Sequence, residues 1–460
     1  MKKIILRTIL VLILAGLAYA FYYAWQAVPI ISGYSAKAMC SCAMVAGRNP
    51  DNIKKEELSF FPMNLSSAEA NFQDSSATSS VFGMAKRKAI YRKGLGCTLV
   101  VEMDEDAVRS QKFSIASVPS QNQDSIAWPT GNRNADSSFA NVDMAKINAA
   151  LDEAFSEPGE KKTRRTRAML LVYKGKIIAE RYAEGFTKDS WLIGWSMSKS
   201  ITNAQVGVLV KQGKLSLDKP APVDGWSEDN RKQLTLGHLM NANSGLEWTE
   251  DYGGPSHVTN MLYKKADMGL FAAQSKLVDE PGEKFYYSSG TTNLVSRIVR
   301  KTVGDETYHA FPYNEVLHKI GMWNTVLEPD ASGTFVGSSY SFGTARDWAR
   351  FGLLYLNDGV WNGERILPEG WVEYTTTPAK GADRGQYGAQ WWLNAGAPGN
   401  PLERTYPDAP VDLYWADGFE SQNVFVIPSK NLVIVKLSLS QNDEYLDDNA
   451  FLKEICDAVK

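Results

Sequence analysis

Asn423-Val424-Phe425-Val426-Ile427, Pro428-Ser429-Lys430-Asn431 and Leu432-Val433-Ile434-Val435-Lys436-Leu437 form the continuous stretch that decides the fold. Two runs rich in β-branched and apolar residues flank a short segment of turn formers, the pattern of an antiparallel hairpin. The same pattern stands far upstream, where Ala168–Tyr173 and Ile177–Tyr182 are joined by Lys174-Gly175-Lys176. An amphipathic helix lies outside each hairpin. Met144, Ile147, Leu151 and Phe155 recur at helical spacing before the first. Phe451, Leu452, Ile455 and Val459 do so after the second, in a closing helix from about Asp447 to Val459. The expected arrangement is one antiparallel sheet assembled from both ends of a domain and flanked by its terminal helices. The mixed stretch Trp191–Tyr414 then becomes a large helix-rich insertion. The fold class is an α/β (α+β) sandwich, with a cleft where its layers meet.

Charge is nearly balanced, with 49 Lys and Arg against 52 Asp and Glu in 460 residues. That excludes a strongly basic nucleic-acid binder and an acidic disordered tail protein. With 44% hydrophobic and 11% aromatic residues, most of the chain should fold. Four His and four Cys leave little for metal sites. Zincin, thioredoxin-type and P-loop motifs do not occur, and no metal or organic cofactor is implied.

Lys2, Lys3 and Arg7 precede an uncharged, largely apolar run from Ile9 to Trp25, the order of an export signal. Ala18-Tyr19-Ala20 has the form of a cleavage site. The apolar character nevertheless continues through Phe21, Tyr22, Tyr23, Trp25, Val28, Ile30 and Ile31, long enough to cross a bilayer. The expectation for residues 1–31 is a signal-anchor or a signal peptide, with the uncleaved anchor favoured; either way the body is exported, periplasmic or otherwise extracytoplasmic, and the anchor would tether it to the membrane. In an oxidising compartment, Cys40 or Cys42 is expected to pair with Cys97, and the sequence leaves open which. Cys456, among apolar residues at helical spacing, reads as a buried core thiol. Residues 32–116 read as a small accessory region, mostly β or irregular, with Ala89–Arg92 and Cys97–Met103 as candidate strands. Residues 117–140, rich in Ser, Asn, Gln and Pro, read as a linker or surface strap. The main domain spans 141–460. Its basic run Lys161–Arg167 reads as a solvated turn.

Chemistry concentrates in Gly194-Trp195-Ser196-Met197-Ser198-Lys199-Ser200. In a helix beginning near Ser196, that serine and Lys199 share one face, a turn apart. A serine hydroxyl needs a base, and burial at a helix start favours a neutral lysine amine. A backbone N–H there also faces a developing oxyanion. A second element, Pro281–Leu294, places Tyr287 on a loop before a helix. A phenol near a lysine ammonium is expected to have a lowered pKa and to act as acid or base. A third, Trp415–Gln422, leads into the hairpin strand. Gly418 there allows close approach of a substrate, and the Phe419 N–H completes an oxyanion hole.

These elements, in this order, resemble the serine β-lactamase and penicillin-recognising superfamily, nearest to the class C β-lactamase-like serine hydrolases that include esterases and 6-aminohexanoate-dimer hydrolases. Ser196-Met197-Ser198-Lys199 matches S-x-x-K. Tyr287-Ser288-Ser289 matches Y-x-N with Ser in place of Asn, and Ala416-Asp417-Gly418 stands at the K-T-G position. The resemblance covers about Asn141 to Lys460 and implies a β-lactamase/transpeptidase-like fold. It implies Ser196 as acylated nucleophile, Lys199 in proton transfer and Tyr287 as partner acid or base. The backbone N–H groups of Ser196 and Phe419 would form the oxyanion hole. Tyr252, Ser289, Asp417, Gly418 and Trp391 would meet the substrate, with Trp391 and Trp392 both expected to line the cleft. The third motif lacks both Lys and His, so the cation that recognises a substrate carboxylate is missing. A small neutral or amine-bearing amide or ester fits better than a penicillin. The alternatives are a D,D-peptidase or weak β-lactamase, and a non-catalytic sensor on the same fold.

Overall fold

The computed structural model describes residues 2–134, 138–159, 163–441 and 445–460. The apolar N-terminal run and the residues after it form one unbroken helix, α1 (Lys2–Cys40). Its first part stands free of the body, with side chains from Ile4 to Trp25 exposed, whereas Ile30, Tyr34, Ala36, Met39 and Cys40 are buried. Residue 31 lies in mid-helix, so the apolar run and the accessory region share this element. A π turn (Ser41–Val45) follows.

Against the buried part of α1 packs a four-stranded antiparallel meander, β1 (Ser66–Asn71), β2 (Ser76–Val81), β3 (Met84–Arg92) and β4 (Gly96–Val100). Cys40 and Cys97 are disulfide-bonded, and Cys42 is a buried free thiol. Beside the disulfide, Lys37 is ion-paired with Glu328 of the main domain, and Glu328 also accepts the Cys97 N–H at 2.6 Å. These donors satisfy the oxygens of a side chain that is fully buried. Gly96 makes room for it: a Cβ there would meet Glu328 Oε1 at 2.6 Å, and its φ is +67°.

The main domain opens with α2 (Met144–Phe155), capped by Asp143, and the hairpin β5 (Thr166–Tyr173) and β6 (Lys176–Tyr182). Its insertion holds α3 (Ser198–Lys211), α4 (His257–Lys264), α5 (Ser289–Val303) and α6 (Ala345–Leu356). Then come β7 (Trp392–Leu393), β8 (Tyr414–Gly418), β9 (Gln422–Ile427), β10 (Leu432–Ser438) and α7 (Asp448–Ala458). The six-stranded sheet runs β7-β8-β9-β10-β5-β6 and is antiparallel throughout. The two hairpins meet where β10 pairs with β5, Leu432 opposite Tyr173 and Leu437 opposite Ala168.

Strict alternation gives this sheet two apolar faces. Met169, Leu171, Leu432 and Ile434 pack with Ile147, Leu151, Leu452 and Ile455 of the terminal helices. Leu170, Val172, Val433 and Val435 face the insertion. Each such side chain contributes about 1.5–3 kcal/mol by leaving water. Cys456, on α7, is a buried free thiol, as expected.

One expectation about a connecting segment changes. Arg164 and Arg167 are buried, not solvated. Arg164 donates to the Glu153 carbonyl at the end of α2, and Arg167 pairs with Glu56 and Glu57 of the accessory region. Charge pattern alone does not reveal a distant acidic partner. Lys161 and Lys162 lie outside the described residues. The 117–134 segment lies along the main domain as a strap: Trp128 donates to the Gly175 carbonyl at 3.0 Å, and the Arg350 guanidinium sits 4.7 Å from its ring.

Candidate active site

Ser196 does not begin the helix. It lies in a 3₁₀ turn, Trp195–Met197, and α3 starts at Ser198. The turn is held from several sides. The Gly194 N–H donates to the Ser341 carbonyl at 2.7 Å, and a Cβ on Gly194 would strike Trp348 at 2.4 Å. Trp195 takes φ +46°, a left-handed conformation costing roughly 1–3 kcal/mol for a bulky residue. Its ring is fixed by stacking on Tyr34, by the edge of Phe419 and by an Nε1–H bond to Glu420. Strain held by this many contacts turns the Ser196 hydroxyl out toward the cleft.

Lys199 is buried, with Nζ 3.1 Å from Ser196 Oγ, 3.0 Å from Ser289 Oγ and 3.0 Å from the Ser338 carbonyl. Burial lowers its pKa to about 8, against opposing pulls from Glu250 and Asp417. Tyr287 lines the cleft beside Ser196, and its ring centre lies 4.7 Å from Lys199 Nζ. Hydroxyl, amine and phenol therefore converge. The expected lowering of the Tyr287 pKa is corrected. Burial pushes it well above the ordinary range, reinforced by Tyr387, Tyr252 and Glu250. The ring is stacked on Trp392 and edge-on to Tyr387, so desolvation outweighs the nearby lysine.

Glu250 is the residue that sequence reasoning passed over. Its carboxylate accepts from the Ser289 N–H and hydroxyl, the Tyr252 hydroxyl and the Trp248 indole N–H. Four donors fill a carboxylate's acceptor sites. The signal was present: Trp248, Glu250 and Tyr252 alternate along an irregular, extended segment, a spacing that brings their side chains to one side. The ring of Tyr252 is half exposed in the cleft, and its hydroxyl reaches inward to Glu250 and, at 3.3 Å, to Ser289. Ser289, expected to meet substrate, is fully buried behind this group.

The end of β8 closes the other side. A Cβ on Gly418 would lie 2.2 Å from the Gly194 carbonyl, so strand and turn touch directly. The three-residue loop Phe419-Glu420-Ser421, with φ +61° and +69° at its last two positions, turns the chain into β9. This sets the Phe419 backbone beside the Ser196 turn. Asp417 lines the cleft, accepts from Asn423 at 2.8 Å and is raised to about 6 by burial. Trp391 does not line it. It is fully buried against Phe351, Tyr355 and Tyr414, while Trp392 faces the cleft, because neighbouring residues on an extended strand point to opposite sides.

The cleft has a volume of about 230 Å³. Ser196, Tyr252, Tyr287 and Asp417 line it, and so do Ile30, Tyr34, Phe60 and Met63 from the N-terminal region. The accessory region, where no chemistry was expected, thus builds a wall of the site. Among the described residues, no cluster of three or more His, Cys, Asp or Glu side chains is arranged to hold a metal ion.

The family model described as Beta-lactamase matches residues 151–456. The 6-aminohexanoate-dimer hydrolase of Paenarthrobacter ureafaciens is 26% identical over 307 residues, covering 59% of this chain and 72% of that protein. A Bacillus anthracis structure assigned as a 6-aminohexanoate-dimer hydrolase superposes with a TM-score of 0.53 at 22% identity, covering 74% of this chain and 86% of its own. A family VIII carboxylesterase superposes with a TM-score of 0.51 at 15% identity, covering 68% and 96%. Together these define the class, a serine hydrolase on the penicillin-recognising fold. The chain belongs to the Beta-lactamase family.

Proposed function

We propose that the protein hydrolyses a small amide or ester through an acyl-enzyme on Ser196. The observation that carries this reading is the 3.1 Å approach of a buried lysine, with a pKa near 8, to the Ser196 hydroxyl. Glu250 decides how that lysine is used. Because Ser289 gives its hydroxyl hydrogen to Glu250, its oxygen accepts from Lys199, and the Ser338 carbonyl can only accept. A neutral amine has two hydrogens and one lone pair. Both hydrogens are thereby committed, and the lone pair is left for the Ser196 hydroxyl hydrogen.

Ser196 Oγ attacks the substrate carbonyl carbon as its proton passes to Lys199. Backbone N–H groups of Ser196 and Phe419 receive the oxyanion. The intermediate collapses, and the leaving amine or alcohol takes the proton of the Tyr287 phenol. Lys199 returns its proton to Tyr287. Water then attacks the acyl carbon by the same path in reverse, releasing the acid and restoring Ser196. Tyr287, held neutral by burial, suits the role of acid. Tyr252 stands at the cleft mouth where the leaving group would sit.

Asp417 favours a neutral or amine-bearing substrate over one with a carboxylate at that end, which argues against a D,D-peptidase or penicillinase. The activity named for the Paenarthrobacter relative, on 6-aminohexanoate dimer, is one such amide. The test is labelling by a fluorophosphonate probe, followed by steady-state rates on p-nitrophenyl esters and on 6-aminohexanoate dimer. Labelling lost in Ser196→Ala supports the reading, and absence of labelling in the native protein favours a sensor.

A further inference from the structure

From Ile4 to Trp25, α1 is largely apolar, with Arg7 its one charge, and is exposed, touching the body only near its end. At 1.5 Å per residue it rises roughly 30 Å, the thickness of a bilayer's hydrocarbon core. Tyr19, Phe21, Tyr22, Tyr23 and Trp25 crowd its body end, as aromatic residues do at a membrane interface. Lys2, Lys3 and Arg7 mark the other end as the side retained in the cytoplasm.

The cleft begins almost at once. Ile30, which lines it, follows Trp25 by about 7.5 Å of helix, comparable with the depth of a headgroup layer. Tyr34 lines it one turn later. Tyr23 abuts Gly254, in the same loop as Tyr252: a Cβ on Gly254 would meet the Tyr23 hydroxyl at 2.6 Å. The last turns of the apolar stretch and the cleft mouth therefore lie at one level.

The surroundings are apolar too. Phe82 (75% exposed) and Met84 sit on the β2–β3 turn, which Ser32 of α1 ties down through the Ala85 carbonyl at 2.6 Å. Phe61 (76% exposed) projects beside Phe60, whose ring packs edge-on to Tyr34. Exposed apolar side chains on elements packed against α1 suit contact with a membrane better than contact with water. Among the residues lining the cleft, Asp417 carries the only charge.

We propose that the cleft draws its substrate from the bilayer: a membrane-resident amphiphile whose acyl chain is joined by an ester or amide bond to a neutral or cationic headgroup. This rests on the acyl-enzyme reading above. The acyl carbon bonds to Ser196 Oγ as its bond to the headgroup oxygen or nitrogen breaks, and the headgroup leaves with the Tyr287 proton. Water then releases the chain as a fatty acid. Ile30, Phe60 and Met63 receive the chain on the membrane side, and Asp417 faces the headgroup.

The experiment uses the full chain reconstituted in phosphatidylcholine vesicles, with p-nitrophenyl acetate in solution and p-nitrophenyl dodecanoate partitioned into the bilayer. Native protein should favour the dodecanoate at least tenfold in kcat/KM. A Phe82→Glu/Met84→Glu variant, altered outside the cleft, should keep the acetate rate and lose about tenfold on the dodecanoate. Acetate turnover that depends on Ser196, with no preference for the long chain or no effect of the variant, overturns the inference and leaves the hydrolase reading standing. No turnover of either ester and no labelling of Ser196 overturns both. A nitrobenzoxadiazole label on Phe82→Cys gives an independent readout. Quenching by doxyl lipid in the same vesicles is expected, and its absence overturns the placement at the membrane.

Discussion

The Glu250 carboxylate accepts both the backbone N–H and the hydroxyl of Ser289. In the mechanism proposed above it would fix, through Ser289, the direction in which the lone pair of a neutral Lys199 points, while its negative charge favours the protonated lysine. These two effects oppose each other and can be separated by experiment.

The first prediction concerns pH. With neutral Lys199 as base, kcat/KM for a p-nitrophenyl ester should rise through about pH 8 and then level off. Glu250→Gln removes a charge that stabilises the ammonium, so the rising limb should move to lower pH. The maximal rate should fall, because an amide orients Ser289 differently. A limb that moves upward, or stays in place, contradicts this assignment.

Lys199→Ala should lower kcat by about 10²–10⁴-fold, the usual contribution of a positioned base. Tyr287→Phe keeps the ring stacked on Trp392 and removes only the phenolic proton. It should cost more on amides, whose leaving amine must be protonated, than on p-nitrophenyl esters, whose leaving group departs unaided. Equal losses on both substrates, measured as kcat, would argue that Tyr287 only shapes the cleft.

Asp417 carries a carboxyl that titrates near 6. For an ester bearing a protonated amine, KM should rise as the pH falls below about 6 and the carboxyl loses its charge. In Asp417→Asn that dependence should vanish. The same pH dependence persisting in the variant would place the substrate amine elsewhere.

The Cys40–Cys97 bond ties α1 to β4 across 57 residues. Removing it with Cys97→Ser, or by reduction, should cost about 2–4 kcal/mol of stability. Because α1 forms a wall of the cleft, unfolding of this region in denaturant should coincide with loss of ester hydrolysis. Denaturation followed by circular dichroism and by activity in parallel checks both.

What the sequence disclosed depended on distance along the chain. The sheet was legible because each hairpin is local, and the apolar strands leave little choice of partner. Ser196 and Lys199 were legible as a pair for the same reason. Glu250 is bonded to Ser289, 39 residues away, and no local pattern reports such a bond. Ile30 and Tyr34 reach the cleft from a region with no chemistry of its own. Trp391 and Trp392 are the opposite case: both were expected to line the cleft, and because neighbours on an extended strand face opposite sides, only Trp392 does. The Tyr287 pKa could not be read from its neighbours in sequence, because the burial that raises it comes from Tyr387 and Trp392, 100 or more residues away.

The central claim is a covalent acyl group on Ser196, and intact-mass spectrometry after rapid quenching tests it most directly. Mixing the protein with a slowly hydrolysed p-nitrophenyl ester should give one added acyl mass, mapped to the peptide containing Ser196, in step with a burst of p-nitrophenol. No adduct, together with undiminished turnover by Ser196→Ala, would contradict the account.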